Sequence, residues 1–584
     1  MNMPPLEFIT ELLNFNGVIV PTCGLSAGVL RSWLISLART PRATCAVTRL
    51  NVDTPLNALA WAECLASANY PNAGAAAVLV LAIRCGMLIS YHGPRSGHIV
   101  GRNLPSAPEN DGAVTADIER ECSKQRRHGP HATPPFPFFR SNPLGVVFKK
   151  GGTKPRLIHN LSWPRNGNSV NAHISQFDVK LDAFDRAVTM LTILGSNTYM
   201  AKLDIKAAYR CIPIAPTDWP LLGLKWRDGY YFDSVMQFGT ASAAAIFEWF
   251  SSAAELMATK LLLIQHIVHY IDDFMLLAKT KRTCEMQLDA LLKLFKLLGL
   301  PVAPHKIERA SQVMLLLGIL FNSVTMTISL SQDRVQAILE LLRSWNGRTT
   351  ASRNELQSLI GTLSFAAKVV PMSRVFLRRL IEQLKAVPGS LPQTAQRWLN
   401  PEFFRDLAWW TQFIGLYNGK TLQRNCSTRS TTHIFTDACV PGYGACCGLN
   451  WYSQSWSVEE EETSRESLKR DSMPWKEGYA VAVALATFAP SCSGQRIVVH
   501  SDCMPVVSAW IKGDSAKPAI AKLLRTILFI CATHDVELRI QFIPGIDNNL
   551  ADALSRGQVT RFKTCLPGHA PSPTTCSPLP TQTW

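Results

Sequence analysis

The sequence predicts an α+β protein of several domains, in which two α/β segments each place acidic residues at the ends of apolar strands. Its 584 residues are 47% hydrophobic and 17% charged, which supplies apolar surface for several cores and excludes a wholly disordered chain. Strand-like apolar runs alternate with helical segments up to about residue 330, and a second α/β pattern extends from Ile434 to Arg556. A helical, basic stretch separates the two patterns, so we expect two distinct domains.

The two ends of the chain carry no recognisable chemistry. Residues 1–110 include Ala-rich segments and predict a mostly helical region of unknown role, whereas residues 561–584 are rich in Pro, Ser and Thr and predict a disordered tail. The first residues lack the features of a signal peptide, and the longest apolar stretch falls far short of the ~20 residues that span a bilayer. The 16 Cys are scattered. We therefore expect an intracellular protein with reduced thiols, in the cytoplasm or nucleus, and no membrane partner.

Two basic stretches predict a polyanionic partner. The formal net charge is +16, and residues 122–170 contain nine Lys or Arg and no acid. Residues 343–385 contain eight Lys or Arg against Glu355 and Glu382. A charge run by itself is usually a solvated face, but the complete absence of acids favours a surface that follows a phosphate backbone. The nine cations of the first stretch are Lys124, Arg126, Arg127, Arg140, Lys149, Lys150, Lys154, Arg156 and Arg165.

Three acids at strand ends form the first candidate site. In VHYIDDFMLL, Asp272 and Asp273 lie between two apolar runs, which predicts a buried β-hairpin with both acids at its tip. Upstream, Asp204 ends an apolar strand. A bare Asp-Asp pair is most often a solvated turn, but three such acids can converge on one edge of a sheet. Clustered carboxylates repel one another unless cations neutralise them, so the pattern predicts a pair of Mg²⁺ ions, with Mn²⁺ as the alternative, suited to phosphoryl transfer.

Six ordered motifs resemble those of reverse transcriptases. LDIKAAY, QFGTASAAAIFE, YIDD, LGLPVAPHKIE and LLGILFN occur in the order of the palm motifs, and KPRLIHNLS upstream is similar to the fingers motif that holds the incoming nucleotide. The resemblance implies a right-hand polymerase, with fingers and palm in residues 111–330, a thumb in residues 331–395 and a connection in residues 396–430. It also implies an RNA template, a DNA primer, an RNA–DNA hybrid and deoxynucleoside triphosphates as partners.

The same resemblance implies which residues bind the metals and the triphosphate. Asp204, Asp272 and Asp273 would carry the catalytic metals. Arg156, with Lys154 beside it, would contact the triphosphate, although a lone Arg is otherwise an ordinary solvated residue.

Three further roles follow from the motifs. Tyr209 would lie under the sugar and exclude a ribose 2′-OH, whereas outside the motif it would be an ordinary core tyrosine. Gln237 would pack on the nucleotide and the template base. Lys306 matches, at a loose spacing, the lysine proposed to protonate the departing pyrophosphate.

Four more acids, in the order D…E…D…D, form the second candidate site. One strand ends at Asp437 in THIFTDACV, another ends at Asp502 in QRIVVHSDC, Glu477 lies in the first turn of an apolar helix, and a short helix carries Asp552. Each acid has an ordinary alternative, such as a first-turn Glu that complements the helix dipole. Together, the TDA, HSD and ADALSR signatures and the spacings of 40, 25 and 50 residues resemble the ribonuclease H domain of retroelements. The resemblance implies an α/β domain over residues 431–560 that holds two metals and cuts the RNA of a hybrid.

A reverse transcriptase followed by a ribonuclease H fits several lineages of retroelement. RLIHNLSWPRNGNSVNAHI, preceded by PPFPFFRSNPLGVVFKKGG, is similar to the polymerase of tyrosine-recombinase retrotransposons of the DIRS and Ngaro type. This similarity implies a separately encoded tyrosine recombinase and a capsid-like protein as further partners. Two alternatives stay open: a decayed element copy that only binds nucleic acid, and a pararetroviral polymerase. The presence of all seven candidate acids favours an active enzyme over a decayed copy.

Overall fold

The computed structural model describes residues 54–580 apart from 149–154, 166, 178, 180, 372, 388–391, 393, 416–417, 423–429, 468–472 and 535. The chain divides into two compact units, Met1–Met314 and Leu315–Trp584, called unit 1 and unit 2. Among the described residues, no helix combines the length and hydropathy that a membrane span requires. No cysteine in the described ranges forms a disulfide.

Unit 1 contains both helices and strands in its described part. The helices are α1 (Ala58–Ser67), α2 (Ala73–Cys85), α3 (Asp111–Ser123), α4 (Ala183–Leu194), α5 (Ala243–Leu261) and α6 (Lys281–Leu298). The strands are β1 (His98–Val100), β2 (Arg127–His131), β3 (Phe139–Ser141), β4 (Leu144–Phe148), β5 (Pro155–His159), β6 (Tyr199–Asp204), β7 (Gly223–Trp226), β8 (Gly229–Asp233), β9 (Ile267–Tyr270), β10 (Asp273–Ala278) and β11 (Glu308–Ser311).

A four-stranded antiparallel sheet forms the centre of unit 1, with the strand order β11-β6-β10-β9. Helices α5 and α6 pack against it. Helix α6 begins where the Thr280 side chain accepts a hydrogen bond from the Thr283 amide, and it ends at Gly299, whose φ of +75° suits a residue without a Cβ. Phe295 of α6 packs edge-on against Phe274 of β10, with ring centroids 5.0 Å apart. A five-stranded mixed sheet, β1-β3-β7-β8-β2, and the β4–β5 hairpin complete the unit.

The described part of residues 1–110 is not a separate helical domain. Helices α1 and α2 are present, but the residues that follow are mostly irregular and include strand β1. Trp61 of α1 is fully buried, donates its Nε1–H to the Leu298 carbonyl at 2.9 Å, and lies 5.4 Å from the ring of Phe250. Burial of this large indole joins the segment to the core of unit 1. Residues 1–53 lie outside the described residues.

Unit 2 contains ten helices and the remaining strands in its described part. The helices are α7 (Gln332–Arg343), α8 (Arg353–Ala366), α9 (Arg378–Lys385), α10 (Pro401–Phe413), α11 (Val458–Ser467), α12 (Met473–Phe488), α13 (Met504–Lys512), α14 (Pro518–Thr533), α15 (Asn549–Ser555) and α16 (Val559–Cys565). The strands are β12 (Val313–Leu316), which crosses the boundary, β13 (Ile319–Asn322), β14 (Thr327–Leu330), β15 (Thr350–Ser352), β16 (Gln396–Trp398), β17 (Lys420–Thr421), β18 (Thr431–Ala438), β19 (Gly442–Cys447), β20 (Asn450–Ser455), β21 (Arg496–Ser501) and β22 (Glu537–Phe542).

The α/β pattern predicted from Ile434 onward is confirmed. Its five-stranded sheet has the order β20-β19-β18-β21-β22, with antiparallel pairs on one side of β18 and parallel pairs on the other. Helices α12 and α15 pack against β18 and β19.

The helical stretch between the two α/β patterns packs within unit 2. Helix α8 begins with a capping box, in which Ser352 and Glu355 exchange side-chain and backbone hydrogen bonds. Trp410 of α10 is fully buried and donates its Nε1–H to the Phe376 carbonyl at 3.1 Å. The predicted connection in residues 396–430 therefore contains a packed helix, α10.

The expectation of a disordered tail over residues 561–584 is wrong for the part that the structure describes. Phe562 is fully buried, and its ring centroid lies 5.2 Å from that of Trp451 on β20. The Thr574 amide donates to the Trp451 carbonyl at 2.7 Å, and Trp451 Nε1–H donates to the Ala570 carbonyl at 3.0 Å. Composition predicted disorder, but the free edge of β20 offers hydrogen-bond partners that composition does not reveal.

Candidate active sites

The first candidate site lies at the paired ends of β6 and β10 in unit 1. Asp204 is the last residue of β6, and Asp273, the first residue of β10, is its register partner. Asp272 precedes β10, and its carbonyl accepts a hydrogen bond from the Ile205 amide at 2.9 Å. The antiparallel register therefore brings together the three acids that the sequence places at strand ends.

The turn of this hairpin falls one residue earlier than the sequence indicates. Tyr270 pairs with Asp273, so the two turn residues are Ile271 and Asp272, and Asp273 belongs to the strand. Ile271 has a φ of +55°, which is an outlier for a β-branched residue. The alternation of apolar residues predicts the hairpin but assigns Ile271 to the strand, because isoleucine is a strong strand former.

Burial and mutual repulsion disfavour the charged forms of Asp272 and Asp273. Burial, followed by the charges of Asp272 and Asp204, raises the pKa of Asp273 to about 6. Burial, followed by the charge of Asp204, also raises the pKa of Asp272. Lys306 Nζ lies 2.6 Å from Asp204 Oδ2, and this hydrogen bond raises the pKa of the lysine. Lys306 thus neutralises one carboxylate, and the three together carry an excess of negative charge.

The side chains predicted to contact the nucleotide differ in exposure. Tyr209 is half-buried, and burial, followed by the charge of Asp272, raises its pKa. Gln237 is only 1% exposed, and its Nε2 donates to Asp233 at 2.9 Å. Phe238 is 53% exposed, with its ring centroid 5.1 Å from that of Tyr209. The expected contact of Gln237 with a nucleotide is therefore corrected: Gln237 points into the protein, and Phe238 is the exposed neighbour of Tyr209.

Two cations of the first basic stretch are buried, which corrects the expectation of a continuous phosphate-binding surface. Arg127 is 2% exposed and pairs with Asp233 at 2.8 Å, and Arg140 is 5% exposed. Asp233 lies far along the chain, so a window of sequence without acids could not indicate this pairing. Arg156 on β5 is exposed, and Lys154 lies outside the described residues.

The second candidate site lies at the ends of β18 and β21 in unit 2. Asp437 is the penultimate residue of β18, Asp502 follows β21 directly, and Glu477 lies on α12. One carboxylate oxygen from each of these three acids lies within 4.8 Å of the others. Helix α12 is described from Met473, so Glu477 lies in its second turn rather than its first.

Burial and mutual repulsion also act on the acids of this second cluster. Burial, followed by the charges of Asp437 and Asp502, raises the pKa of Glu477 to about 9. Burial raises the pKa of Asp437 to about 6, although Ser555 Oγ donates to its Oδ2 at 2.5 Å. Glu477 Oε2 is buried without a hydrogen-bond partner among the described residues. Two buried carboxylates and the half-buried Asp502, with one unsatisfied oxygen among them, fit a hard divalent cation such as Mg²⁺ or Mn²⁺.

The fourth predicted acid, Asp552, does not join this three-residue cluster. Its carboxylate pairs with Arg556 at 2.7 Å and with Arg561 at 3.1 Å. Its charge nevertheless contributes to the raised pKa values of Asp437 and Asp502. Asp552 thus acts on the cluster through its charge, while Arg556 and Arg561 neutralise its carboxylate.

Two residues that the sequence analysis missed position the helix that carries Asp552. Ser555 bonds Asp437, and its place three residues after Asp552 on the same helix face was the available signal. Gly444 is the register partner of Asp437, and a Cβ there would lie 2.5 Å from Leu554 Cβ. The missing side chain lets α15 pack directly on β19.

Comparison with known proteins concerns mainly the first site. Residues 149–321 match the family model described as reverse transcriptase (RNA-dependent DNA polymerase). This segment contains all three acids of the first site together with Lys306. Two solved structures of a foamy viral protease-reverse transcriptase are also similar. The complex with dsDNA is 14% identical, with coverage of 93% of this chain and 98% of that chain and a TM-score of 0.46. The complex with an RNA/DNA hybrid is 13% identical, with coverage of 100% and 66% and a TM-score of 0.45.

Several relatives of the chain are polyproteins. It is 21% identical over 375 residues to Polyprotein P3 of Commelina yellow mottle virus, which covers 63% of this chain and 19% of the polyprotein. It is 23% identical over 242 residues to the Gag-Pol polyprotein of Avian reticuloendotheliosis virus, which covers 40% and 19%. A Tf2-3 transposon polyprotein of Schizosaccharomyces pombe is 23% identical over 196 residues, with coverage of 34% and 14%. The chain thus spans 19% or less of the length of these relatives. The family match and these relatives confirm that the chain contains a reverse transcriptase domain of the type found in retroelement and pararetrovirus polyproteins.

Proposed function

We propose that the chain is an RNA-directed DNA polymerase that also hydrolyses the RNA strand of an RNA–DNA hybrid, and so copies the RNA of a retroelement into DNA. The observation that carries this proposal is the pairing of Asp273 with Asp204, which brings three carboxylates together inside the reverse transcriptase domain. The domain assignments belong to the proposal: fingers and palm in residues 111–330, thumb in 331–395, connection in 396–430 and the ribonuclease H-like domain in 431–560.

In DNA synthesis, Asp204, Asp272 and Asp273 would hold Mg²⁺ ions, which supply the positive charge that phosphoryl transfer needs. Burial and the neighbouring acids raise the pKa values of Asp272 and Asp273, and no group among the described residues fully compensates their negative charge. A bound metal cation would supply that compensation, since a nearby cation favours the carboxylate over the acid, and this supports the assignment. Lys306 holds its proton beside Asp204, where the role assigned to it is protonation of the departing pyrophosphate.

The nucleotide would be held by cations and aromatic rings. Arg156, together with Lys154, would bind the triphosphate oxygens. Tyr209 would exclude a ribose 2′-OH by steric clash, a role that its half-buried position near Asp272 supports. The exposed ring of Phe238 takes the stacking role first expected of Gln237.

In RNA hydrolysis, Asp437, Glu477 and Asp502 would hold Mg²⁺, with Asp552 as the fourth acid. The convergence of the first three within 4.8 Å and the unsatisfied Oε2 of Glu477 support this assignment. The loop that precedes Asp552, IPGIDNN, contains no histidine, so no step of this reaction is assigned to a histidine of that loop.

We further assign the chain to the DIRS and Ngaro type, on the motif RLIHNLSWPRNGNSVNAHI. Its partners would then be the RNA template, the DNA primer and the hybrid, with a separately encoded tyrosine recombinase and a capsid-like protein. Sequencing of the genomic copies would test this lineage: a neighbouring recombinase frame supports it, and a neighbouring integrase frame contradicts it.

The decisive experiment is a primer-extension assay of the purified chain on poly(rA)/oligo(dT) with Mg²⁺, in parallel with cleavage of a labelled RNA–DNA hybrid. We expect both activities in a preparation free of host ribonuclease H, with Mn²⁺ able to replace Mg²⁺. Tight hybrid binding with neither reaction would favour the decayed copy instead.

A further inference from the structure

We propose that Glu248 and Ser251 of α5 are positioning residues that hold the strained turn at Ile271 and thereby aim Asp272 at the polymerase metals. This inference rests on the proposed polymerase function. Neither residue touches the reacting groups, so both would act through the turn.

Both backbone polar groups of the strained residue are bound by side chains of one helix. Ser251 Oγ donates to the Ile271 carbonyl at 2.5 Å, and the Ile271 amide donates to Glu248 Oε2 at 3.3 Å. The φ of Ile271 is +55°, a conformation that a β-branched residue keeps only when its surroundings enforce it. These two hydrogen bonds are the direct restraint on that conformation.

The two anchoring side chains are themselves rigid. Ser251 is 2% exposed and Glu248 is 8% exposed. Glu248 Oε1 accepts a hydrogen bond from His269 Nε2 at 2.8 Å, and His269 Nδ1 donates to Glu255 at 2.5 Å. Arg186 of α4 pairs with Glu255 in turn. The alternating charges fix the Glu248 carboxylate, because each group is hydrogen-bonded to the next.

The restraint acts on the catalytic acid through the backbone. Asp272 follows Ile271 directly, and its carbonyl is bound to the Ile205 amide beside Asp204. If an anchor is lost, Ile271 relaxes to a negative φ, and the Asp272 side chain turns relative to Asp204. A general role in core stability would instead lower the unfolding temperature without a selective effect on metal binding or on kcat.

The test compares Ser251→Ala and Glu248→Ala with the conservative variants Ser251→Thr and Glu248→Gln. Thr259→Val on the same helix is the matched control, because the hydrogen bond that Thr259 Oγ1 donates stays within the helix, to the Glu255 carbonyl at 2.9 Å. Loss of a single buried hydrogen bond corresponds to about a tenfold change in a rate constant. We therefore expect kcat of primer extension to fall about tenfold in each alanine variant. The KM for the nucleotide and the affinity for the hybrid should stay within about twofold, because the basic surfaces supply that binding. The conservative variants should recover most of kcat.

A second readout does not depend on activity. Mn²⁺ binding is titrated by electron paramagnetic resonance in an Asp502→Asn background, which removes one ligand acid of the second site. We expect binding at the first site to weaken in Ser251→Ala and Glu248→Ala but not in Thr259→Val. Equal Mn²⁺ affinity and equal kcat in Ser251→Ala and Thr259→Val would overturn the positioning role. An inactive wild-type chain whose Mn²⁺ binding still responds to Ser251→Ala would contradict the proposed function alone.

Discussion

One acid of the polymerase site, Asp204, pairs with a lysine, whereas the three clustered acids of the nuclease-like site have no ion pair among the described residues. In unit 1, Lys306 Nζ is 2.6 Å from Asp204, and the pKa of Asp273 is raised only to about 6. In unit 2, three carboxylate oxygens lie within 4.8 Å, and the pKa of Glu477 is raised to about 9. Burial is the largest cause of the raised pKa at Asp272 and at Glu477. The charge of Lys306 opposes the rise at Asp272, whereas the charges of Asp437 and Asp502 add to the rise at Glu477.

The two sites also differ in what holds them together. The polymerase acids follow from backbone pairing, since Asp273 and Asp204 are register partners. The nuclease-like acids come from two strands and a helix, and the packing of α12 against β18 and β21 brings their elements together. The first site is thus sensitive to the turn that carries Asp272, and the second to side-chain packing.

The largest expected effect tests whether the two sites are independent. Asp272→Asn should lower DNA synthesis at least about a thousandfold, because a neutral amide cannot neutralise metal charge. Cleavage of a labelled hybrid should be preserved. Asp228→Asn, in the exposed turn after β7, is the control. Retention of more than about a tenth of extension activity in Asp272→Asn would contradict the site assignment.

The reverse change sharpens the same comparison. Asp502→Asn should lower hybrid cleavage at least about a hundredfold, while extension on a DNA template stays nearly intact. Asp514→Asn is a control from the same domain. Parallel loss of both activities would indicate one shared site or a folding defect, and persistent cleavage would mean that Asp502 is not a ligand.

A pH titration tests the buried charge of His269, which lies on β9 of the hairpin that carries Asp272. Burial alone lowers the pKa of His269, but its hydrogen bonds to Glu248 and Glu255 raise it to about 9, against an ordinary value of 6.5. The folded state binds this proton more tightly than the unfolded chain. The stabilisation is therefore complete below about pH 6.5 and is lost as pH rises through 9, with an upper limit of roughly 3 kcal/mol.

The measurement is the free energy of unfolding of the wild type and of His269→Gln between pH 6.5 and 9. His269→Gln should show a flatter profile than the wild type, and His266→Gln, just before the same strand, should keep the wild-type slope. Arg186 of α4 pairs with Glu255, so Arg186 is kept in all three proteins. Identical slopes in all three proteins would contradict the assigned charge of His269.

The smallest expected effect concerns substrate choice, which the comparison predicts for the first site only. Tyr209→Ala should raise incorporation of ribonucleotides relative to deoxynucleotides about tenfold, because the ring that clashes with the 2′-OH is removed. Phe238→Ala, which removes the neighbouring ring, should instead raise the KM for both substrates alike. An unchanged ratio with polymerisation intact would leave Tyr209 as a core residue.

Much of both sites was predictable from local sequence. The hairpin around Asp272 and the strands that end at Asp437 and Asp502 follow from apolar runs of strand length, because side-chain alternation and turns are local properties. The order of the motifs predicted the reverse transcriptase domain, which the family match confirms. The apolar run before Asp204 also predicted that this residue ends a strand, and backbone pairing then places it opposite Asp273.

Partners distant along the chain decided the rest. Arg127 and Asp233 are separated by 106 residues, so the burial of a cation predicted to face phosphate depended on a fold that sequence windows cannot show. The docking of the C-terminal segment on β20 and the anchoring of Ile271 by Ser251 have the same origin. The sequence by itself determined which acids exist and which strands they end. Only the tertiary structure decided which of them share a proton, a lysine or an arginine, because the free energy of a charge depends on burial and on the distance to its neighbours.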